Sequence, residues 1–241
     1  MNIKDRGFSI INNFFTETQI NRILSELDKH NALQYETQQV SDHNLLHAIP
    51  FINEIATSAP LLSIVRQVIG NNIFPVNALV LDKTLQSNWG LDWHQDLKIA
   101  VANKIETPGY NHWTIEYGVH HCIPPKEFLE KMVMIRIHLD DCTAGNGAVL
   151  VIARSHERGR WSVDEITAAV VENEIICCEV AKGGIMFMQP LLLHKSPYST
   201  TSKKRRILQI TYSGMELSNG LEWHKDNNVK TEVSTKSDPT S

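Results

Sequence analysis

From its amino terminus the chain first spaces its apolar residues as a helix does. In "FFTETQINRILSELDKH" Ile20, Ile23, Leu24 and Leu27 fall at i, i+3, i+4 and i+7, one face of a helical period. Thr16 stands where an N-cap is needed, and Gln19, three residues on, completes a capping box. A second helix is expected in "SAPLLSIVRQVIG", with Ser58 as cap, Pro60 in the first turn and Gly70 just past the end. Each has one apolar face, so each must pack on something.

Beyond residue 72 the pattern changes to sheet. "FPVNALVLD" at 74–82 and "MVMIRIHLD" at 132–140 are rich in β-branched residues. The second alternates, putting Val133, Ile135, Ile137 and Leu139 on one face and Arg136 and His138 on the other. Shorter candidates are 148–153, 175–180, 184–188 and 206–212, with turn signals at Asn146-Gly147 and Gly183-Gly184. Helices followed by many short strands predict a mainly β fold, a barrel or jelly roll braced by N-terminal helices. The expected organisation is one domain over 1–214, helical to 72 and a barrel over 73–214. Residues 97–130, with Pro108, Gly109, Pro124 and Pro125, read as an irregular inserted loop of the lid or binding type. After 214 the apolar pattern fades, and 215–241 reads as an extension ending in a polar, disordered tail, "TEVSTKSDPTS".

Composition narrows the partners. At 241 residues and 42% hydrophobic the chain can bury a full core, and a net charge of -4 gives no general attraction to nucleic acid or an anionic membrane. No stretch approaches a spanning helix, and residues 1–30 lack the layout of a secretory leader, because Asp5, Arg6, Glu17 and Asn21 interrupt them. A cytoplasmic protein with a small-molecule substrate is expected; nothing fixes its oligomeric state. Cys122, Cys142, Cys177 and Cys178 show no C-x-x-C spacing and read as buried thiols.

The candidate chemistry sits in two places. In "NWGLDWHQDL" His94 and Asp96 are two apart, so at an extended strand end both point to one side. In "MQPLLLHKSPYS" His194 ends an apolar run. Two histidines and a carboxylate on one face of an ion form the facial triad of non-haem iron oxygenases, which leaves three positions open. Arg205 follows His194 by eleven residues and opens a strand; a planar guanidinium suits the far carboxylate of a dicarboxylate co-substrate. Periodicity does not choose between Arg205, which shares a face with Ile207, Gln209 and Thr211, and Arg206, which shares one with Leu208, Ile210 and Tyr212. The spacing favours Arg205, with Arg206 the alternate.

The order H-x-D, then "NGAVLVIARSHERG" at 146–159, then His and Arg eleven residues apart resembles the phytanoyl-CoA dioxygenase family of iron(II)/2-oxoglutarate oxygenases. "GFSIINNFFTETQINRILSEL" at 7–27 resembles that family's opening, a short strand leading into a helix, so the likeness runs to about residue 213. The resemblance implies a double-stranded β-helix, a cupin-like jelly roll. It implies iron(II) on His94, Asp96 and His194, with Arg205 and Ser196 holding 2-oxoglutarate, and O2 as the oxidant. One departure is Arg136, where better-known members carry an aromatic residue; it reads as a second anion contact or a remodelled substrate side.

What the resemblance implies chemically is hydroxylation of a small organic molecule with release of succinate and carbon dioxide, since Asp96 leaves no ligand position for chloride. Two other readings remain: a non-catalytic cupin-like barrel that binds metal or ligand, and a zinc hydrolase on the same ligands, which would need no cation at Arg205. Substrate-side candidates are Lys83, Asn88, Trp93, Gln95, His112 and Trp113, while His120 and His121 beside Cys122 read as a solvated loop pair.

Overall fold

The computed structural model describes residues 3–30, 44–116 and 118–225. Helix α1 (Ile3–Arg6), strand β1 (Phe8–Ile11), and helices α2 (Glu17–Lys29), α3 (Leu45–Ala48), α4 (Pro50–Ala56) and α5 (Ala59–Ile69) come first. Then follow β2 (Phe74–Lys83), β3 (Leu91–His94), β4 (Ile99–Val101), β5 (Asn111–Glu116), β6 (Val119–Ile123), α6 (Lys126–Leu129), β7 (Met132–His138) and β8 (Val149–Val151). The chain continues through α7 (Val163–Glu172), β9 (Ile176–Cys178), β10 (Ile185–Met188), β11 (His194–Ser196) and β12 (Arg205–Ser213).

The strands form a five-stranded sheet ordered β1-β10-β7-β12-β2 and a four-stranded sheet ordered β3-β11-β8-β9, every pair antiparallel. This is the jelly roll expected from the strand pattern, with the helices on the outer face of the larger sheet. Ile20, Ile23 and Leu27 of α2, Ile52 and Ala56 of α4 and Leu61 and Val65 of α5 pack with Val133, Ile135, Ile137, Phe187, Leu208, Ile210 and Tyr212. The local signals read from the sequence act as anticipated at Thr16, whose hydroxyl accepts from Gln19 N while Gln19 Oε1 accepts from Thr16 N at 2.8 Å. Ser58 occupies the N-cap of α5 but makes no side-chain cap bond; Pro60 in the first turn and Gly70 at the end set that helix.

Because β-strand side chains alternate, the same strands that face the helices present a second set of residues inward. These form cross-strand rows: Lys83 opposite Arg205; Leu81 opposite Ile207 opposite His138; Leu79 opposite Gln209 opposite Arg136 opposite Met186.

Two expectations are corrected. Residues 97–130 are not an irregular loop: β4, β6 and β5 make a three-stranded sheet with α6 beside it, around a core that includes Ile99, Val101, Tyr110, Cys122, Phe128 and Leu129. β4 is three residues long and apolar throughout, β6 has two adjacent histidines at its middle, and His112 sits at a positive φ of 51° inside β5, so no period-2 signal shows. Within the expected extension 215–241, Leu221 is buried and Trp223 bridges to Val101; the tail 231–241 lies outside the described residues. Finally, Cys177 is exposed, because alternate residues of the edge strand β9 face outward, while Cys122, Cys142 and Cys178 are buried free thiols.

Candidate metal centre

The smaller sheet brings the first cluster together. His194 on β11 pairs directly with His94 on β3, and the two rings lie 4.2 Å apart between centroids. Asp96 lies just past the end of β3, its amide donating to Pro190 O at 2.9 Å, which turns its carboxylate back toward the histidines. His94 Nε2 is 3.7 Å from one Asp96 oxygen and His194 Nε2 is 3.4 Å from the other. One ligand atom from each residue falls within 4.8 Å of the others, and among the described residues no other histidine, cysteine or carboxylate cluster does so.

Tautomers are set for coordination. His94 Nδ1 lies 2.6 Å from Asp92 O and His194 Nδ1 lies 3.0 Å from Leu192 O. A carbonyl only accepts, so each Nδ1 carries the proton and each Nε2 presents a lone pair inward. Burial, reinforced by His94 and Arg136, draws His194 down to about 4 against the opposing pull of Asp96. Burial would raise Asp96, but His194, His94 and Arg136 outweigh it and the carboxyl is held below the usual range. Two imidazoles and an ionised carboxylate on one side fit a divalent ion.

A second cluster lies at the far row of the larger sheet. Arg205 is 1% exposed, and its Nε and Nη2 find no hydrogen-bond partner among the described residues. Lys83, fully buried, donates from Nζ to Ser196 Oγ at 3.2 Å and to Pro197 O. Both cations sit over the ring of Trp89, Lys83 Nζ at 4.4 Å and Arg205 Cζ at 5.2 Å from its centroid. Burial, with Arg205 adding repulsion, pulls Lys83 down to about 7. The turn at Gly147 permits this approach: its φ is +87°, and a Cβ there would meet Pro197 O at 2.7 Å and Lys83 Nζ at 2.8 Å.

Of the two arginines, Arg205 faces this chamber and Arg206 does not. The structure therefore brings His94, Asp96 and His194 into one cluster and Arg205, Ser196 and Lys83 into another. The other substrate-side candidates have structural partners or lie outside. Gln95 bonds to Gly159, Leu191 and Trp161, Asn88 bonds to Ser199, Trp93 packs near Ile152 and Leu193, Trp113 packs on the insertion sheet, and His112 is exposed. His120 and His121 are on β6 rather than a loop. Sequence reading missed Trp89 and Gln209 and did not single out His138, although a polar pair at 136 and 138 inside an apolar strand was a visible sign.

The phytanoyl-CoA dioxygenase family model matches residues 3–207. No curated protein matches the sequence significantly. Several solved structures share the fold. The non-heme alpha ketoglutarate dependent carbocyclase SnoK from nogalamycin biosynthesis is 13% identical with a TM-score of 0.67, covering 88% of this chain and 81% of its own. The epimerase SnoN of the same biosynthesis is 11% identical with a TM-score of 0.66, over 88% and 80%. HygX from Streptomyces hygroscopicus, solved with nickel, 2-oxoglutarate and hygromycin B bound, is 16% identical with a TM-score of 0.61, over 88% and 84%.

Proposed function

The chain belongs to the phytanoyl-CoA dioxygenase family, and from that premise we propose that it is an iron(II)- and 2-oxoglutarate-dependent oxygenase acting on a small organic molecule. His94, Asp96 and His194 would hold the iron. Arg205, with Lys83 and Ser196, would hold the far carboxylate of 2-oxoglutarate.

The observation that carries this reading is the buried Arg205 guanidinium, two of whose nitrogens have no hydrogen-bond partner among the described residues. A buried charge without a counter-ion is costly, and such groups are paired or coordinated in working proteins. A dicarboxylate that reaches this chamber at one end and chelates a metal at the other supplies the missing anion.

Iron(II), held by His94, Asp96 and His194, would with O2 and 2-oxoglutarate supply the oxidising power for a substrate C–H bond, with succinate and carbon dioxide as the co-products of the decarboxylated co-substrate. The protein's own share is placement. His94 and His194 direct their Nε2 atoms to one point, and their Nδ1 protons are tied to backbone carbonyls. Asp96 lends one negative charge. Leu81, Trp89 and Ile207 pack as an apolar cluster around the cations, keeping water away and strengthening their hold on an anion. Hydroxylation is the proposed outcome, because Asp96 keeps a carboxylate ligand and vacates no position for a halide. Since SnoK and SnoN are named for cyclisation and epimerisation, product analysis decides the outcome.

Purified protein given iron(II), ascorbate and 2-oxoglutarate in air is expected to release succinate slowly even without substrate, and His194→Ala is expected to release none. Absence of succinate from the iron-loaded wild type contradicts the proposal.

A further inference from the structure

We propose that Arg136, with His138 lying on β7 between it and the Arg205 cluster, forms a second carboxylate subsite, and that its occupant is an anionic group of the prime substrate. This rests on the iron and 2-oxoglutarate reading and names the chemical class of the substrate.

The two residues are successive inward positions on β7, the middle strand of the larger sheet, 6% and 2% exposed. Arg136 donates from Nε to Gln209 Oε1 at 2.8 Å, its partner across β12, and makes no other hydrogen bond or ion pair among the described residues. Its two terminal nitrogens therefore stay available as the fork that meets a carboxylate end-on. His138 has both ring nitrogens buried and without a hydrogen-bond partner among the described residues. Burial, together with Arg205 and Arg136, draws that ring down to about 3, so it is neutral and carries one N–H to donate. Two adjacent inward side chains with unspent donors are more than the fold needs.

Charge assigns the occupant. Burial lowers the pKa of Arg136, and among carboxylates it is Asp96 that opposes this, each favouring the charged form of the other. Iron on Asp96 claims that carboxylate. The co-substrate does not replace it: one of its carboxylates belongs with Arg205, Lys83 and Ser196, and the other to the metal chelate. Along β12 the partner of Arg136, Gln209, lies four residues from Arg205, about 13 Å of strand, so the two guanidinium groups serve different levels of the lumen. With metal and co-substrate in place Arg136 remains a buried cation without a counter-charge, and the prime substrate is the remaining source.

The test uses acetate and benzoate as probes, titrated by calorimetry into protein loaded with Mn(II) and saturating 2-oxoglutarate. At least one probe is expected to bind wild type, to bind Arg136→Met about tenfold or more weakly, and to recover part of that loss in Arg136→Lys, while 2-oxoglutarate affinity stays within about threefold in both variants. If Arg136→Met does not fold, His138→Phe is the substitute and is expected to weaken the probe in the same direction. Equal probe binding in wild type and variant, or none in wild type, overturns the proposal and leaves Arg136 as a counter-ion for Asp96. A loss confined to 2-oxoglutarate also overturns it, giving the subsite to the co-substrate. If wild type fails to bind 2-oxoglutarate, the parent reading falls instead, and the same titration of protein with Mn(II) alone still decides the subsite.

Discussion

Arg205 and Arg206 are consecutive in the chain and serve opposite faces of β12: Arg206 clasps both oxygens of Asp140, Nε at 2.8 Å and Nη2 at 2.7 Å, while Arg205 turns into the barrel with two nitrogens unpaired. Replacing Arg205 by Ala would break its buried pair with the bound carboxylate and leave Lys83 as the cation beside that group, a loss on the order of 3–5 kcal/mol. That is roughly two to four decades in 2-oxoglutarate affinity. Arg205→Lys keeps the charge, loses the fork and is expected to fall between. Arg206→Ala is expected to leave that affinity nearly unchanged and to cost stability instead, about 1–3 kcal/mol from the lost charged hydrogen bonds, read as a lower denaturant midpoint.

Each of His94→Ala, Asp96→Ala and His194→Ala removes one donor from the cluster. Iron-dependent succinate release is expected to vanish in all three, with metal affinity falling by more than about a hundredfold, beyond what the loss of an outer partner costs. The melting temperature of the metal-free protein is expected to move little. Full turnover in any one variant takes that residue out of the set.

Lys83 predicts a pH dependence. Free, it titrates near 7; a carboxylate held beside it favours the charged ammonium and raises that value in the complex. Binding above pH 7 then takes up a proton, so 2-oxoglutarate affinity is fully present below about 7 and falls as pH rises, by up to about one decade per pH unit. Lys83→Met is expected to bind more weakly at pH 6 and to lose the slope. A wild-type affinity that rises from pH 7 to 9 contradicts this assignment.

On the helical side, Tyr212 is fully buried and donates to Ala56 O at 2.7 Å, fastening β12 to the end of α4. Tyr212→Phe is expected to cost about 1–2 kcal/mol in urea unfolding and to leave 2-oxoglutarate binding alone, because the residue faces away from the lumen.

Much of this was legible where one face of an element differs from the other. The apolar face of α2, and Val133, Ile135 and Ile137 set against Arg136 and His138, can be read from residue types alone. β12 could not be oriented in that way: Ile207 and Leu208 are both fully buried, since one face meets the lumen and the other the helices. Spacing from His194 selected Arg205, and the structure places that side chain inward. Helix α7 went unnoticed because its apolar face, Ile166, Ala169 and Val170, is short and is blurred by the exposed Val163 and Val171. Trp89 escaped because a tryptophan beside Asn88 says nothing of the two cations that the fold sets over it.

The central claim is that Arg205 holds the far carboxylate of 2-oxoglutarate in a metal-dependent complex. Calorimetric titration of 2-oxoglutarate into iron(II)-loaded wild type and Arg205→Ala, under argon, tests it most directly. The account predicts metal-dependent binding to wild type and a loss of about two decades or more in the variant; equal affinity in the two proteins, or no binding to the iron-loaded wild type, would contradict it.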